Sequence, residues 1–281
     1  MKRRLLVATN GFEGSWPAIA YSAWLAKLLE LPISLIGVTE PRQRPNIDDE
    51  MHPLEAMFSR AVALFQESSL DYQLELHEGH AEEIISNRVC EDDCLAVLGP
   101  LGRPPMQRLL QRRSFHQFMA DIPSPILYVP QACLPPKRIL ICLGGLGYGL
   151  TVEHLGLEIA EKAGASITLL HVVPPIDLDY PEARTVREKW EHLEDTDTLL
   201  GGNLRAGLEM AKNANLETSL KVRQGKVIEE ILAELKEGDY QLICMGSPYS
   251  AWGLRHYYTP NVTAEVAEAV RCPVLTARAE S

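Results

Sequence analysis

No stretch of about 18 consecutive apolar residues occurs in the chain, so no helix is expected to span a bilayer. Lys2, Arg3 and Arg4 precede an apolar run, but that run ends at Thr9-Asn10-Gly11 and is too short for the core of a secretory leader. The expected location is cytoplasmic. Basic charge is scarce as well: 27 Lys+Arg face 38 Asp+Glu, a net charge of −11. Such a field opposes phosphate backbones and anionic lipid, so neither nucleic acid nor a membrane is an expected partner. Residues 1–133 carry 12 basic and 17 acidic groups and residues 134–281 carry 15 and 21, so neither half is a basic arm.

Metal and catalytic signatures are missing too. The six cysteines (Cys90, Cys94, Cys133, Cys142, Cys244 and Cys272) form no CxxC pair. Cys90 and Cys94 are four residues apart, yet no second pair with histidines completes a tetrahedral set. They read as buried or incidental thiols, and no metal site is assigned. There is no GxSxG, no HExxH and no Walker GxxxxGK[ST], so no catalytic residue is assigned and dedicated catalysis is not expected.

What the chain does contain is itself, twice. Its 281 residues, 46% hydrophobic and 23% charged, suit two globular domains of about 150 residues each. Arg4-Leu5-Leu6-Val7-Ala8 matches Arg138-Ile139-Leu140-Ile141-Cys142, and Ile33-Ser34-Leu35-Ile36-Gly37-Val38 matches Ile167-Thr168-Leu169-Leu170-His171-Val172, both at an offset of 134. Glu78-Gly79-His80 pairs with Gln224-Gly225-Lys226, Leu95-Ala96-Val97-Leu98-Gly99 with Leu242-Ile243-Cys244-Met245-Gly246, and Pro125-Ile126-Leu127 with Pro273-Val274-Leu275, at offsets of 146 to 148. Such self-similarity predicts two lobes, 1–133 and 134–281, with Gln131 to Pro136 as the hinge.

The runs 5–8, 33–38, 95–98 and 126–129 are almost continuously apolar, as strands covered on both faces must be. Helical spacing lies between them: Ser15 is placed to cap a helix that opens with Trp16-Pro17, and Ile228, Ile231, Leu232 and Leu235 form an i, i+3, i+4, i+7 stripe. Residues 181–214 read as a longer, charged helical insert. Each copy therefore predicts an α/β lobe, doubly wound around a parallel sheet of about five strands. Ligands of such sheets sit beyond the carboxyl ends of the strands, where strand order reverses. Gly144-Gly145-Leu146-Gly147-Tyr148-Gly149 invites a dinucleotide reading, but it lacks the GxGxxG spacing, and His171-Val172-Val173 offers no acid at the end of strand two.

Taken together, Leu5-Leu6-Val7-Ala8-Thr9-Asn10-Gly11, Leu169-Leu170-His171-Val172-Val173, Met245-Gly246-Ser247 and Cys272-Pro273-Val274-Leu275 resemble a universal stress protein in tandem form, over nearly the whole chain. The resemblance implies two tandem Rossmann-like domains of the adenine nucleotide alpha hydrolase type. In nucleotide-binding members of that family ATP is held by Asp-Gly-Ser after strand one, a valine ending strand two, and a G-x-x-G loop with a later Gly-Ser. By position these fall on Asn10, Val38, Gly99, Gly102 and Arg112-Arg113 in the first copy. In the second they fall on Gly144, Gly145, Val172, Met245, Gly246, Ser247, Gly253, Asn261 and Val262. The chemistry is intelligible in itself, because glycines let backbone N–H groups and a helix N-terminus turn toward phosphate oxygens.

Departures from that pattern are visible. Asn10 and Gly144 replace the aspartate, removing the metal ligand. Pro260-Asn261 and Arg112-Arg113 stand where Gly-Ser is expected, and Pro260 has no N–H to give. Arg103, Arg108, Arg112 and Arg113 lie close together without an intervening acid, and read either as a phosphate clamp or as a solvated, ion-paired helix face. Two functions remain open: a stress-response module that binds ATP or a related phosphorylated ligand in at least one lobe, or an interaction or scaffold protein with vestigial pockets. The resemblance also implies that the last strands, 126–129 and 274–277, pair within one chain as a pseudo-dimer; whether two chains join further as a homodimer is left open by the sequence.

Overall fold

In a computed structural model, residues 3–39, 52–91, 93–100, 122, 125–144, 150–175, 181–247 and 262–278 are described. The chain divides into two compact units, Met1–Leu134 and Pro135–Ser281.

The first unit contains β1 (Arg4–Thr9), α1 (Trp16–Leu29), β2 (Ile33–Thr39), α2 (Pro53–Glu67), β3 (Tyr72–Glu78), α3 (Ala81–Glu91), β4 (Cys94–Leu98) and β5 (Ile126–Tyr128). Its strands run parallel in the order β3-β2-β1-β4-β5. Leu5, Leu6 and Val7 of β1 and Leu95, Ala96 and Val97 of β4 are fully buried, which their uninterrupted apolar runs require of a sheet covered on both faces. The order reverses between β1 and β4, so the ends of β1, β2 and β4 border the crevice of the sheet.

The second unit repeats this plan with β6 (Arg138–Cys142), α4 (Leu150–Ala163), β7 (Ser166–Val173), α5 (Pro181–Glu188), α6 (Leu199–Asn213), β8 (Thr218–Gln224), α7 (Val227–Glu237), β9 (Leu242–Ser247), α8 (Val262–Ala269) and β10 (Val274–Arg278). Its order is β8-β7-β6-β9-β10, again parallel. Both units are thus α/β and doubly wound, with five strands each among the described residues, as the repeat predicts. Among the described residues no helix is long and apolar enough to cross a membrane.

Two local expectations are corrected. The helical insert over 181–214 is α5, a 3-10 stretch from Trp190 to Asp195, and α6. Helix α6 is the counterpart of α2, so only the segment before it is inserted; the link from β7 to α6 is twelve residues longer than that from β2 to α2. Ser15 does stand at the N-cap of α1, but its hydroxyl makes no capping bond. It is committed instead to the loop after β1, described next.

Candidate functional site

The loop after β1 is a closed hydrogen-bond circuit. Gly11 takes φ +84°, a conformation open to glycine at little cost. Its N–H donates to Thr9 Oγ1 over 3.1 Å, and the Phe12 N–H donates to Asn10 Oδ1 over 3.3 Å, an Asx turn. Ser15 Oγ donates to the Phe12 carbonyl over 2.8 Å and lies 2.6 Å from Thr9 Oγ1. With the Ser15 proton committed to a carbonyl, Thr9 is the donor of that short bond.

Helix α2 clamps this loop from outside. A Cβ on Gly11 would fall 2.7 Å from Leu54 N and 2.8 Å from the Pro53 carbonyl carbon. The same first turn of α2 is capped by His52, whose Nδ1 accepts from Leu54 N over 3.2 Å. One turn further on, the Arg60 guanidinium lies 3.5 Å from the Trp16 ring centroid and donates to both Glu13 carboxylate oxygens, at 2.9 and 3.0 Å. The glycine turn is therefore fixed by packing before any ligand arrives.

Beside it opens a cleft of about 280 Å³, part of it continuous with solvent. Ala8, Thr9 and Asn10 line it from β1, Val38 from the end of β2, and Gly99 and Pro100 from the end of β4. Ala81 and Ile85 of α3 face the same space. A Cβ at Gly99 would stand 3.1 Å from Ser15 Cα and 3.2 Å from the Gly14 carbonyl, so glycine there lets the end of β4 abut the start of α1. The enclosed part of the cleft is only about 20 Å³, room for about one water, and the rest is open to solvent.

In the second unit, Leu143 follows β6, and its N–H donates to Leu170 O over 2.8 Å. His171 Nδ1 meets the Leu143 carbonyl at 2.9 Å, so Nδ1 carries the proton. At 6% exposure, burial pushes the His171 pKa down, although its bond to Leu143 works the other way. His171 thus holds the strand end as a neutral donor. Around Gly144 a Cβ would meet nothing within 4 Å among the described residues. Val172 and Met245 are buried at the ends of β7 and β9. Helix α8, which begins at Val262, is tied to β9 by Thr263 Oγ1, donating to Gly246 O over 3.3 Å. Ser247 is the last backbone position of β9.

Of the residues the resemblance singles out, Asn10, Val38 and Gly99 come together in one cleft. Gly144, Val172, Met245, Gly246, Ser247 and Val262 stand at strand or helix termini of the second unit. Gly102, Arg112, Arg113, Gly145, Gly253 and Asn261 lie outside the described residues, as do Arg103 and Arg108. Sequence reasoning missed Thr9, Ser15, Ala81 and Ile85. The hydroxyls flanking the glycine turn were a usable signal for the first two; nothing in the α3 sequence marks the last two.

Known proteins extend this geometry. The model of the universal stress protein family matches residues 136–278, just over half of the chain. Among solved structures, a universal stress protein from Archaeoglobus fulgidus DSM 4304 is similar with a TM-score of 0.71 at 15% identity, covering 99% of this chain and 98% of that one. A functionally unknown protein from Pseudomonas aeruginosa PAO1 gives 0.61 at 16% identity, covering 98% and 92%. Likeness at such identity speaks for the fold. No curated protein matches the chain by sequence. With the family matched across the second unit and the same five-stranded plan repeated in the first, the chain belongs to the universal stress protein family, in its tandem form.

Proposed function

We propose that the protein is a non-catalytic stress-response module that binds ATP or a related phosphorylated nucleotide in its first unit. The observation that carries this reading is the convergence of Asn10, Val38 and Gly99 on one cleft at the switch point of a parallel sheet. Val38, Ala81 and Ile85 offer an apolar seat for a base, and Asn10 offers a neutral side chain for a ribose hydroxyl. Among the described residues none that could act as a general base lines that cleft, which supports binding without turnover.

A second reading rests on a specific observation too. The Gly11 and Phe12 N–H groups, which a phosphate would need, are already spent on Thr9 and Asn10 side-chain oxygens. On that reading the pocket is vestigial and the protein works through its surface as an interaction or scaffold protein.

Calorimetric titration of the full chain with ATP, ADP and AMP separates the two. Binding, with a matching rise in thermal midpoint, is the expected outcome. Asn10→Ala removes one neutral hydrogen bond worth about 1 kcal/mol and weakens affinity roughly 5-fold. The absence of both heat and a midpoint shift at millimolar nucleotide rejects the binding reading in favour of the scaffold.

A further inference from the structure

The link that makes the second unit longer than the first carries a second cluster of chemistry, remote in sequence from the strand-end loops. Its 3-10 stretch breaks helical geometry at His192, with φ −131° and ψ 46°. Around that break, ligand atoms of His192, Glu194 and Asp195 all lie within 4.8 Å of one another. His192 and Asp195 are exposed, and Glu194 is half-buried. One oxygen of Glu194, Oε2, is shielded from solvent and has no hydrogen-bond partner. An anionic oxygen in that position costs free energy until a cation or donor reaches it.

The frame around the three side chains is firmly held. Leu193, between the first two, is fully buried and anchors the stretch. Thr196 Oγ1 donates to Leu193 O over 2.7 Å, and Thr198 Oγ1 lies 2.8 Å from Thr196 Oγ1 while accepting from Gly201 N over 3.0 Å. Arg205 from α6 donates to the backbone carbonyls of Glu194 and Thr196, at 2.5 and 2.7 Å. Arg205 thereby occupies carbonyl oxygens and leaves the carboxylates to other partners.

We propose that His192, Glu194 and Asp195 bind a divalent first-row transition-metal cation of the zinc class. One imidazole nitrogen and two carboxylate oxygens form a borderline donor set that suits zinc, cobalt, manganese or iron(II) better than copper(I). A tetrahedral ion with arms of about 2.1 Å needs its ligand atoms about 3.4 Å apart. The ligand atoms, within 4.8 Å of one another, have to close by about 1.4 Å, and two of the three side chains are exposed and free of packing that would hold them. Water fills the remaining position. All three ligands belong to the 3-10 stretch that packs on β8 and α6, so the cation fixes the conformation of that stretch.

The test uses tag-free full-length protein stripped with chelator, then titrated with zinc chloride and, separately, with cobalt chloride. One ion per chain is expected, with d–d absorption from bound cobalt and no thiolate-to-cobalt charge-transfer band. His192→Ala, Glu194→Gln and Asp195→Asn should each weaken zinc binding by at least about 10-fold. Each should also abolish the zinc-induced rise in thermal midpoint while the metal-free midpoint stays put, which shows that the variants fold. Cys90→Ser, removing the exposed thiol, should change nothing. The proposal is overturned by absence of one-to-one binding at about 100 µM zinc, far above the range of preformed sites. Zinc binding that survives the three substitutions, or a charge-transfer band from a cysteine ligand, overturns it equally.

Discussion

Asn10 and Gly144 share one position in the repeat, yet their surroundings differ. Asn10 sits in a loop whose next residue, Gly11, is pressed against the backbone of α2. Gly144 has no described residue within 4 Å of where a Cβ would go. Gly11→Ala must therefore accommodate both a left-handed φ, costing about 1–2 kcal/mol, and contact with main-chain atoms that cannot swing away. Its expected loss is at least 2 kcal/mol or so in urea unfolding, whereas Gly144→Asp should stay within about 0.5 kcal/mol of the parent. A Gly11→Ala variant as stable as the parent would mean that α2 does not clamp the loop. The missing aspartate of the second unit is thus not explained by lack of room.

Between elements, the two units use one contact with its charges exchanged. In the first unit Glu75 of β3 receives Arg88 of α3 in a bidentate pair, Nε to Oε2 at 3.0 Å and Nη2 to Oε1 at 3.1 Å. At the matching positions of the second unit, Lys221 of β8 donates to Glu234 of α7 at 2.6 Å. Arg223 adds bonds to Glu230 and Glu234, both 2.9 Å, and Tyr240 donates its hydroxyl to Glu234 at 2.6 Å. Strand and helix have traded sign, and each unit keeps a neutral pair. Glu75→Lys and Arg88→Glu are each expected to cost about 1–2 kcal/mol, because either alone sets like charges face to face in a part-buried site. The double variant should recover at least half of the combined loss in a double-mutant cycle; simple additivity would refute the exchange.

The same two strands show why the insert exists where it does. Edge strand β3 exposes Leu74 by 42% and Leu76 by 67%. Their counterparts Leu220 and Val222 on β8 are half-buried, and the Trp190–Asp195 stretch packs on that strand. Neither β3 nor β8 has the continuous apolar run that reveals the inner strands. Tyr72-Gln-Leu-Glu-Leu-His-Glu78 alternates, but its leucines are on the exposed face, while Glu75 and His77 are the half-buried side chains, with Arg88 of α3 bonded to Glu75. Helix α7 misleads for a related reason. Its apolar stripe is real, yet only Ile231 of those four residues is buried, while Glu234 is fully buried. Glu234 tolerates this because Lys221 and Arg223 reach it from β8, partners that no reading of the helix alone reveals.

For the molecule as a whole, these environments combine into a pH profile. The Arg88 guanidinium holds Glu75 below the ordinary carboxylate value of 4.5. Burial pushes Glu234 up, but bonds from Lys221, Tyr240 and Arg223 outweigh it and leave its pKa lowered. Such depressed carboxyls stabilise the fold above their unfolded values, and that stability disappears as pH falls through the folded ones. His171, depressed by burial, adds a loss that begins as pH drops below its unfolded value of 6.5. Glu153 runs the other way: burial raises it, so its contribution is present at low pH and fades as pH rises through the folded value. At the alkaline end burial lifts the Cys142 thiol from 9.0 to about 12, so its stabilising protonated form is lost as pH climbs through that range. Three groups against one set the acid limb. The urea midpoint should peak between about pH 7 and 8.5 and fall on both sides. A higher midpoint at pH 5 than at pH 8 would contradict these assignments.

The sequence by itself determined the two-fold repeat, the inner strands and the position of the crevice, because buried parallel strands must be written as unbroken apolar runs and a duplication repeats them at a near-constant offset. Tertiary structure alone decided that Ser15 serves a loop rather than its own helix, that Glu234 is buried among cations, and that the added link gathers His192, Glu194 and Asp195. Glu234 depends on Lys221 and Arg223 arriving from another element, while Ser15 and the His192 cluster depend on turn conformations, such as the break at His192, of which residue spacing carries no record.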